Sequence, residues 1–148
     1  MAIIEVTHVK KSFGQLDVLK DVSFEIQKNE VIAVIGPSGS GKSTMLRSLV
    51  HLEEINGGSI KLQDQYLVKD GVYVSPPQIK AITARMGMVF QHFNLFPHLT
   101  VQENLGLAPK HVKKQSKEEV RLNSAALLQK VGLSDKADVY PGNLSGGQ

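Results

Sequence analysis

Apolar and polar positions first alternate at residues 22–26, where Val22, Phe24 and Ile26 are separated by Ser23 and Glu25. A two-residue period predicts a half-buried strand, because successive strand side chains point to opposite faces. Ile3, Ile4 and Val6 suggest another strand near the N-terminus. The run VIAVI at 31–35 is apolar at every position, as expected of a strand buried on both faces. A glycine-rich turn follows, then KSTMLRSLVHL, in which Leu46, Leu49 and Val50 recur at helical spacing, so 31–52 reads as strand, loop, helix. GGSIKLQD restarts a strand through Ile60 and Leu62, and MGMVFQ (86–91) predicts a further short one. Between them, residues 64–80 are polar and contain Pro76 and Pro77, which predicts a long loop.

Beyond Phe93 the pattern becomes helical. Ser116 with Glu119 three residues later forms a capping box, Val120, Leu127, Leu128 and Val131 mark one helix face, and Gly132 suits the C-terminal end. The expected organisation is a β-rich core over 1–92 and a helical subdomain over 93–148, without internal repeats.

Composition narrows the classes. The chain has 148 residues, 41% hydrophobic and 21% charged, the profile of a globular domain with a real core. Its net charge of +3 is mild and its lysines are scattered, which argues against nucleic acid as a partner. Lys113, Lys114 and Lys117 do cluster, but Glu118 and Glu119 follow at once, as in a solvated helix start. The absence of cysteine excludes disulfides, thiolate metal sites and cysteine nucleophiles. The N-terminal stretch lacks the pattern of a secretory signal, and the longest apolar run, at 31–35, is far too short to span a bilayer.

Residues 36–44 read GPSGSGKST and fit G-x-x-x-x-G-K-[ST]. Phosphate needs donors that approach closely, and glycines allow this by removing side chains. The amides of Gly39, Ser40, Gly41, Lys42, Ser43 and Thr44 can ring a phosphate at a helix N-terminus, where the dipole favours negative charge. Lys42 adds a formal charge between the β- and γ-phosphates, and the Ser43 hydroxyl is placed to ligate Mg²⁺. The whole segment, including Gly36, Pro37 and Ser38, sits between a predicted strand and an amphipathic helix, as this chemistry requires.

Two further features bear on the reaction. Gln91 lies at a predicted strand end, from which a glutamine can reach Mg²⁺ or its water; Phe93, Leu95 and Phe96 follow in a loop, either packed beneath it or docking another chain. The chain closes on LSGGQ, in which Ser145 fits a helix N-cap while Gly146 and Gly147 leave backbone amides bare. This is a second anion site, and one nucleotide fits between the two if two chains meet head to tail.

These motifs resemble the nucleotide-binding subunit of an ABC transporter, from about Val6 to Gln148, and most of all the importers of polar amino acids. The resemblance implies a P-loop ATPase of ABC type, α/β in class, with an antiparallel β subdomain, a parallel-sheet core and a helical subdomain. It makes 36–44 the Walker A loop, Gln91 the Q-loop glutamine and a metal-site residue beside Ser43, and 144–148 the signature motif, with Ser145, Gly146, Gly147 and Gln148 acting on a partner's ATP. It places Phe13, in KSFG, against adenine, with Val18 near adenine and ribose; phenylalanine keeps the stacking face of the family's usual tyrosine. It implies ATP and Mg²⁺ as cofactors, transmembrane permease subunits and a head-to-tail dimer as partners, an extracytoplasmic solute-binding protein acting indirectly, and a peripheral position on the cytoplasmic face of the cell membrane.

The family's Walker B strand, catalytic glutamate, D-loop and switch histidine have no counterpart in these residues. The sequence is therefore read as the N-terminal part of a longer gene product, ending before the Walker B strand. The alternatives are a fragment or regulator that holds ATP without hydrolysing it, and an ABC ATPase outside transport.

Overall fold

The computed structural model describes residues 2–148, as two compact units divided between Val89 and Phe90. The first unit is built on an antiparallel sheet of strands β1 (Ala2–Phe13), β2 (Leu16–Gln27), β3 (Gly57–Leu62), β4 (Gln65–Lys69) and β5 (Val72–Tyr73), in the order β2-β1-β3-β4-β5. The predicted alternation is present in β2: Val22, Phe24 and Ile26 are half-buried, and Ser23 and Glu25 are exposed. Val6, Val9, Leu19, Ile60, Leu62, Leu67 and Val68 form the buried face. Helix α1 (Lys42–Leu49) adds Met45 and Leu49 to that core, one turn apart, and α2 (Pro76–Thr83) adds Ile82. Leu46, expected on the buried side of α1, is instead exposed.

The expected loop over 64–80 is a hairpin followed by a helix. Asp70 and Gly71 both take positive φ and pair Lys69 with Val72 across a two-residue turn, the geometry that Asp-Gly favours. Leu67 and Val68 are fully buried in β4 despite their polar surroundings. Pro76 and Pro77 start α2 rather than break it, since a first-turn proline forgoes an amide that has no helical partner. Ser75 and Gln78 close a capping box over them.

Residues 31–35 and 86–91 depart from expectation in the other direction, for neither forms a strand. Val31 and Ile35 are 95% and 92% exposed, and Val89 is 96% exposed. An all-apolar strand needs ladder neighbours on both sides and cover on both faces, and among the described residues no sheet partner reaches either segment. The sheet that does form is antiparallel throughout; the parallel pairing implied for the core is not made among the described residues.

In the second unit α3 (Val101–His111) packs on α4 (Lys117–Lys130). Gly106 is buried where they meet; a Cβ there would lie 2.8 Å from Val120 Cγ1. The inward stripe of α4 runs through half-buried Val120 and buried Ser124 and Leu128 at four-residue spacing, whereas Leu127 and Val131, expected on that face, point outward. Gly132 ends the helix at φ 72°.

Capping boxes open both helices. The Glu103 carboxylate accepts the Thr100 backbone N–H at 2.8 Å, and the Glu119 carboxylate accepts that of Ser116 at 2.7 Å. The backbone bond from Thr100 holds Glu103 below the usual carboxylate range; Glu119 is lowered first by the Ser116 hydroxyl and then by its backbone N–H. A lowered folded pKa contributes stability that is complete above the ordinary glutamate value of about 4.3 and is lost as pH falls through the lowered one. Helical circular dichroism of the complete protein is therefore expected to decline below that range. Glu103→Gln with Glu119→Gln, which keeps both acceptors without a titrating group, should shrink the decline; an unchanged acid profile would remove the boxes from the account.

Candidate functional site

The glycine-rich loop turns into α1 at Gly41, the N-cap residue, whose φ of 88° lies in the left-handed region. A side chain at 41 would also meet Leu19 Cδ2 at 2.9 Å and Val18 Cγ1 at 3.0 Å. Glycine is thus required twice, for its backbone and for the close approach to β2. This contact carries Val18 to the loop. Gly39 has φ 81°, and the Ser40 amide donates to Pro37 O at 3.3 Å, tightening the turn ahead of the helix.

The first intrahelical bond of α1 joins Met45 N–H to Gly41 O at 2.8 Å. The amides of Lys42, Ser43 and Thr44 precede it and have no acceptor among the described residues, the ordinary condition of a helix N-terminus. No acidic side chain occupies this first turn. Lys42 Nζ donates to Gly36 O at 2.8 Å and to Pro37 O at 2.7 Å, so its ammonium lies folded over the loop. Ser43 is exposed on the first turn. Three free amides, a dipole end and an ammonium together have the chemistry to receive a multiply charged anion.

Phe13 ends β1 at the Gly14–Gln15 turn and pairs with Leu16 of β2. The Ser12 N–H donates to Asn56 Oδ1 at 2.7 Å and the Ser12 hydroxyl to Asp17 at 2.6 Å, which fixes the strand end; Phe13 is 45% exposed. Phe13, Val18 and residues 36–44 therefore all belong to the first unit.

Gln91 and residues 145–148 belong to the second. Gln91 is exposed in a bend, not at the end of a strand. Ser145 opens a turn rather than a helix: the Gln148 N–H donates to the backbone Ser145 O at 2.9 Å, and the Gln148 side chain accepts the Ser145 N–H at 3.0 Å, half of a capping box without the serine hydroxyl. Space above Gly146 and Gly147 is open. These residues and Leu144 line a cleft of about 490 Å³ whose other wall is Phe93, Asn94 and Leu95. Phe93 is 75% exposed, and Leu95 and Phe96 are also exposed, so packing beneath the loop does not account for them.

Asn104, which the apolar–polar pattern does not mark, organises that loop. Its Oδ1 accepts the Phe96 N–H at 2.9 Å, and its Nδ2 lies 2.9–3.1 Å from the carbonyls of Phe96, Leu99 and Thr100. The available signal was an asparagine one turn inside a helix, where its own propensity is poor.

The family profile described as ABC transporter matches residues 19–148. The chain belongs to the ABC transporter family. Other members include the arginine transport ATP-binding protein ArtM of Bacillus subtilis (strain 168), 50% identical over 99% of this chain, and the glutamine transport ATP-binding protein GlnQ of the same organism, 45% identical over 99%. The chain spans 59% and 58% of their respective lengths. A dimeric ATP-binding cassette in a post-hydrolysis state, bound to ADP and Pi, superposes with a TM-score of 0.79 at 32% identity, covering 98% of this chain and 64% of that one. The fold is accordingly that of ABC ATPase domains, of which this chain covers part.

Proposed function

We propose that this chain is the ATP-binding part of an ABC importer subunit, in which ATP binding and hydrolysis drive uptake of a polar amino acid. The observation that carries the proposal is the loop at 36–44, with Lys42 folded over it and the amides of Lys42, Ser43 and Thr44 unpartnered at the start of α1. The amides hold the β-phosphate, Lys42 moves from its two carbonyls to the β- and γ-phosphates, and Ser43 binds Mg²⁺. Gln91 is assigned a role toward the metal or its water. Adenine stacks on Phe13, near Val18.

The names of the arginine and glutamine relatives support the transport reading and the class of solute. Residues 145–148 approach the γ-phosphate of a partner's ATP in a head-to-tail dimer; the dimeric state of the solved neighbour supports dimerisation. Among the described residues no helix is long and apolar enough to cross a membrane. In this proposal permease subunits connect the chain to the bilayer. Phe93, Leu95 and Phe96 form the surface that meets them, on the cytoplasmic face, and a solute-binding protein delivers the amino acid from outside.

Reconstitution of the complete protein with its permease in proteoliposomes tests this reading. The wild type should show uptake of a labelled polar amino acid that depends on ATP. Phe96→Asp should lower uptake about ten-fold or more, the effect of losing a buried interface anchor, while leaving ATP binding unchanged. Uptake without ATP, or full uptake in the variant, would contradict the assigned coupling.

A further inference from the structure

Lys11 and Phe13 lie two residues apart on β1, and hence on the same face of the strand. Lys11 is a buried cation: its side chain is 11% exposed, with Nζ 2.6 Å from Glu53 Oε1. The same Nζ lies 4.6 Å from the centroid of the Phe13 ring, within cation–π range. Glu53 belongs to the turn after α1, the helix that begins at the phosphate loop. That turn grips β1 twice more: Asn56 N–H donates to Lys10 O at 2.8 Å, and Asn56 Oδ1 accepts the Ser12 N–H at 2.7 Å. Three bonds from one turn thus fix the strand just ahead of the ring.

We propose that Lys11, anchored by Glu53, is a positioning residue that holds the Phe13 ring for stacking on adenine. A buried ammonium needs a partner, and Glu53 supplies it, so Lys11 does not exchange its place for solvent. With the ammonium on one face, the ring offers its other face to a base. The cation draws π density toward itself and leaves the far face less electron-rich, which eases stacking against the electron-rich purine. Glu53 and Lys11 also connect the turn after α1 to the base site, so one helix sets the position of both the phosphate loop and the ring.

The inference rests on adenine stacking at Phe13, and the test separates the two claims. Binding of Mg-ATP and of Mg-tripolyphosphate, which has phosphates but no base, is measured in the complete protein. Phe13→Ala should weaken ATP about ten-fold, the effect of losing a stacked base, and leave tripolyphosphate unchanged. Lys11→Met should weaken ATP by roughly two- to five-fold, again with tripolyphosphate unchanged, and Lys11→Arg should restore ATP binding. The double variant Lys11→Met with Glu53→Gln leaves no unpaired carboxylate, keeps the comparison available where the single variant folds poorly, and should show the same selective loss. If Phe13→Ala binds both probes as the wild type does, stacking at Phe13 fails and the role of Lys11 with it. If Phe13→Ala loses ATP selectively while the Lys11 variants retain it, or lose both probes equally, the positioning role is overturned.

Discussion

Lys42→Ala in the complete protein is expected to weaken Mg-ATP binding at least ten-fold and to reduce ATP turnover to background. The ammonium is the only formal positive charge within the loop at 36–44, and it is held there by Gly36 O and Pro37 O. A hydrogen bond to a charged group is worth about 1.5–3 kcal/mol, which converts to about ten-fold or more in affinity. Turnover should suffer more than binding, because charge that develops between the β- and γ-phosphates in the transition state loses its nearest counter-charge. Lys42→Arg keeps the charge, but its longer planar fork does not put that charge where the compact ammonium lies between the β- and γ-phosphates, so it should recover binding in part and turnover little. Nucleotide titration beside a phosphate-release assay measures both quantities. Undiminished turnover in Lys42→Ala would remove the loop from the reaction.

The second large effect concerns residues 1–148 expressed alone. Val31, Ile35 and Val89 are almost fully exposed, and both of their segments lack sheet partners among the described residues. An apolar segment of high β-propensity with unpaired amides and carbonyls is a template for pairing with other copies. This polypeptide is expected to aggregate at micromolar concentration, and Val31→Lys with Ile35→Lys should suppress aggregation by placing charges in the run. It is also expected to release no phosphate above background. Gln91, the side chain assigned to the water, is an amide that does not titrate near neutral pH and so does not serve as the base. Light scattering and a phosphate assay read the two outcomes. A monomeric species with a cooperative, ATP-stabilised melting transition and sustained phosphate release would show that these residues complete the site unaided.

Elements whose burial is settled by near neighbours were legible in the sequence. The alternation of Val22, Phe24 and Ile26 against Ser23 and Glu25 stands in β2 because β1 pairs alongside it. The capping box at Ser116 and Glu119 stands because all of its partners lie within one turn. The hairpin of β4 and β5 was hidden behind polar residues, although Asp70-Gly71 carries a turn signal stronger than that composition. In α2, Pro76 and Pro77 resemble breakers by composition, whereas Ser75 and Gln78 mark them as a helix start. Residues 31–35 show the opposite case: a strand is a relation between segments, so an apolar pattern alone does not make one. At the site, the glycine-rich turn into α1 was readable because its residue spacing sets its local geometry. Lys11, Glu53 and Asn104 were not, since each acts through a contact that only the fold creates.

The most direct test of the account is a structure of the complete protein with Mg²⁺ and a non-hydrolysable ATP analogue. The account predicts the β-phosphate among the amides of Gly39, Ser40, Gly41, Lys42, Ser43 and Thr44, with Lys42 Nζ transferred from Gly36 O and Pro37 O to phosphate oxygens. It also predicts the Ser43 hydroxyl on the metal and adenine against Phe13. A nucleotide bound elsewhere, or one bound here while Lys42 keeps its two carbonyls, would contradict it.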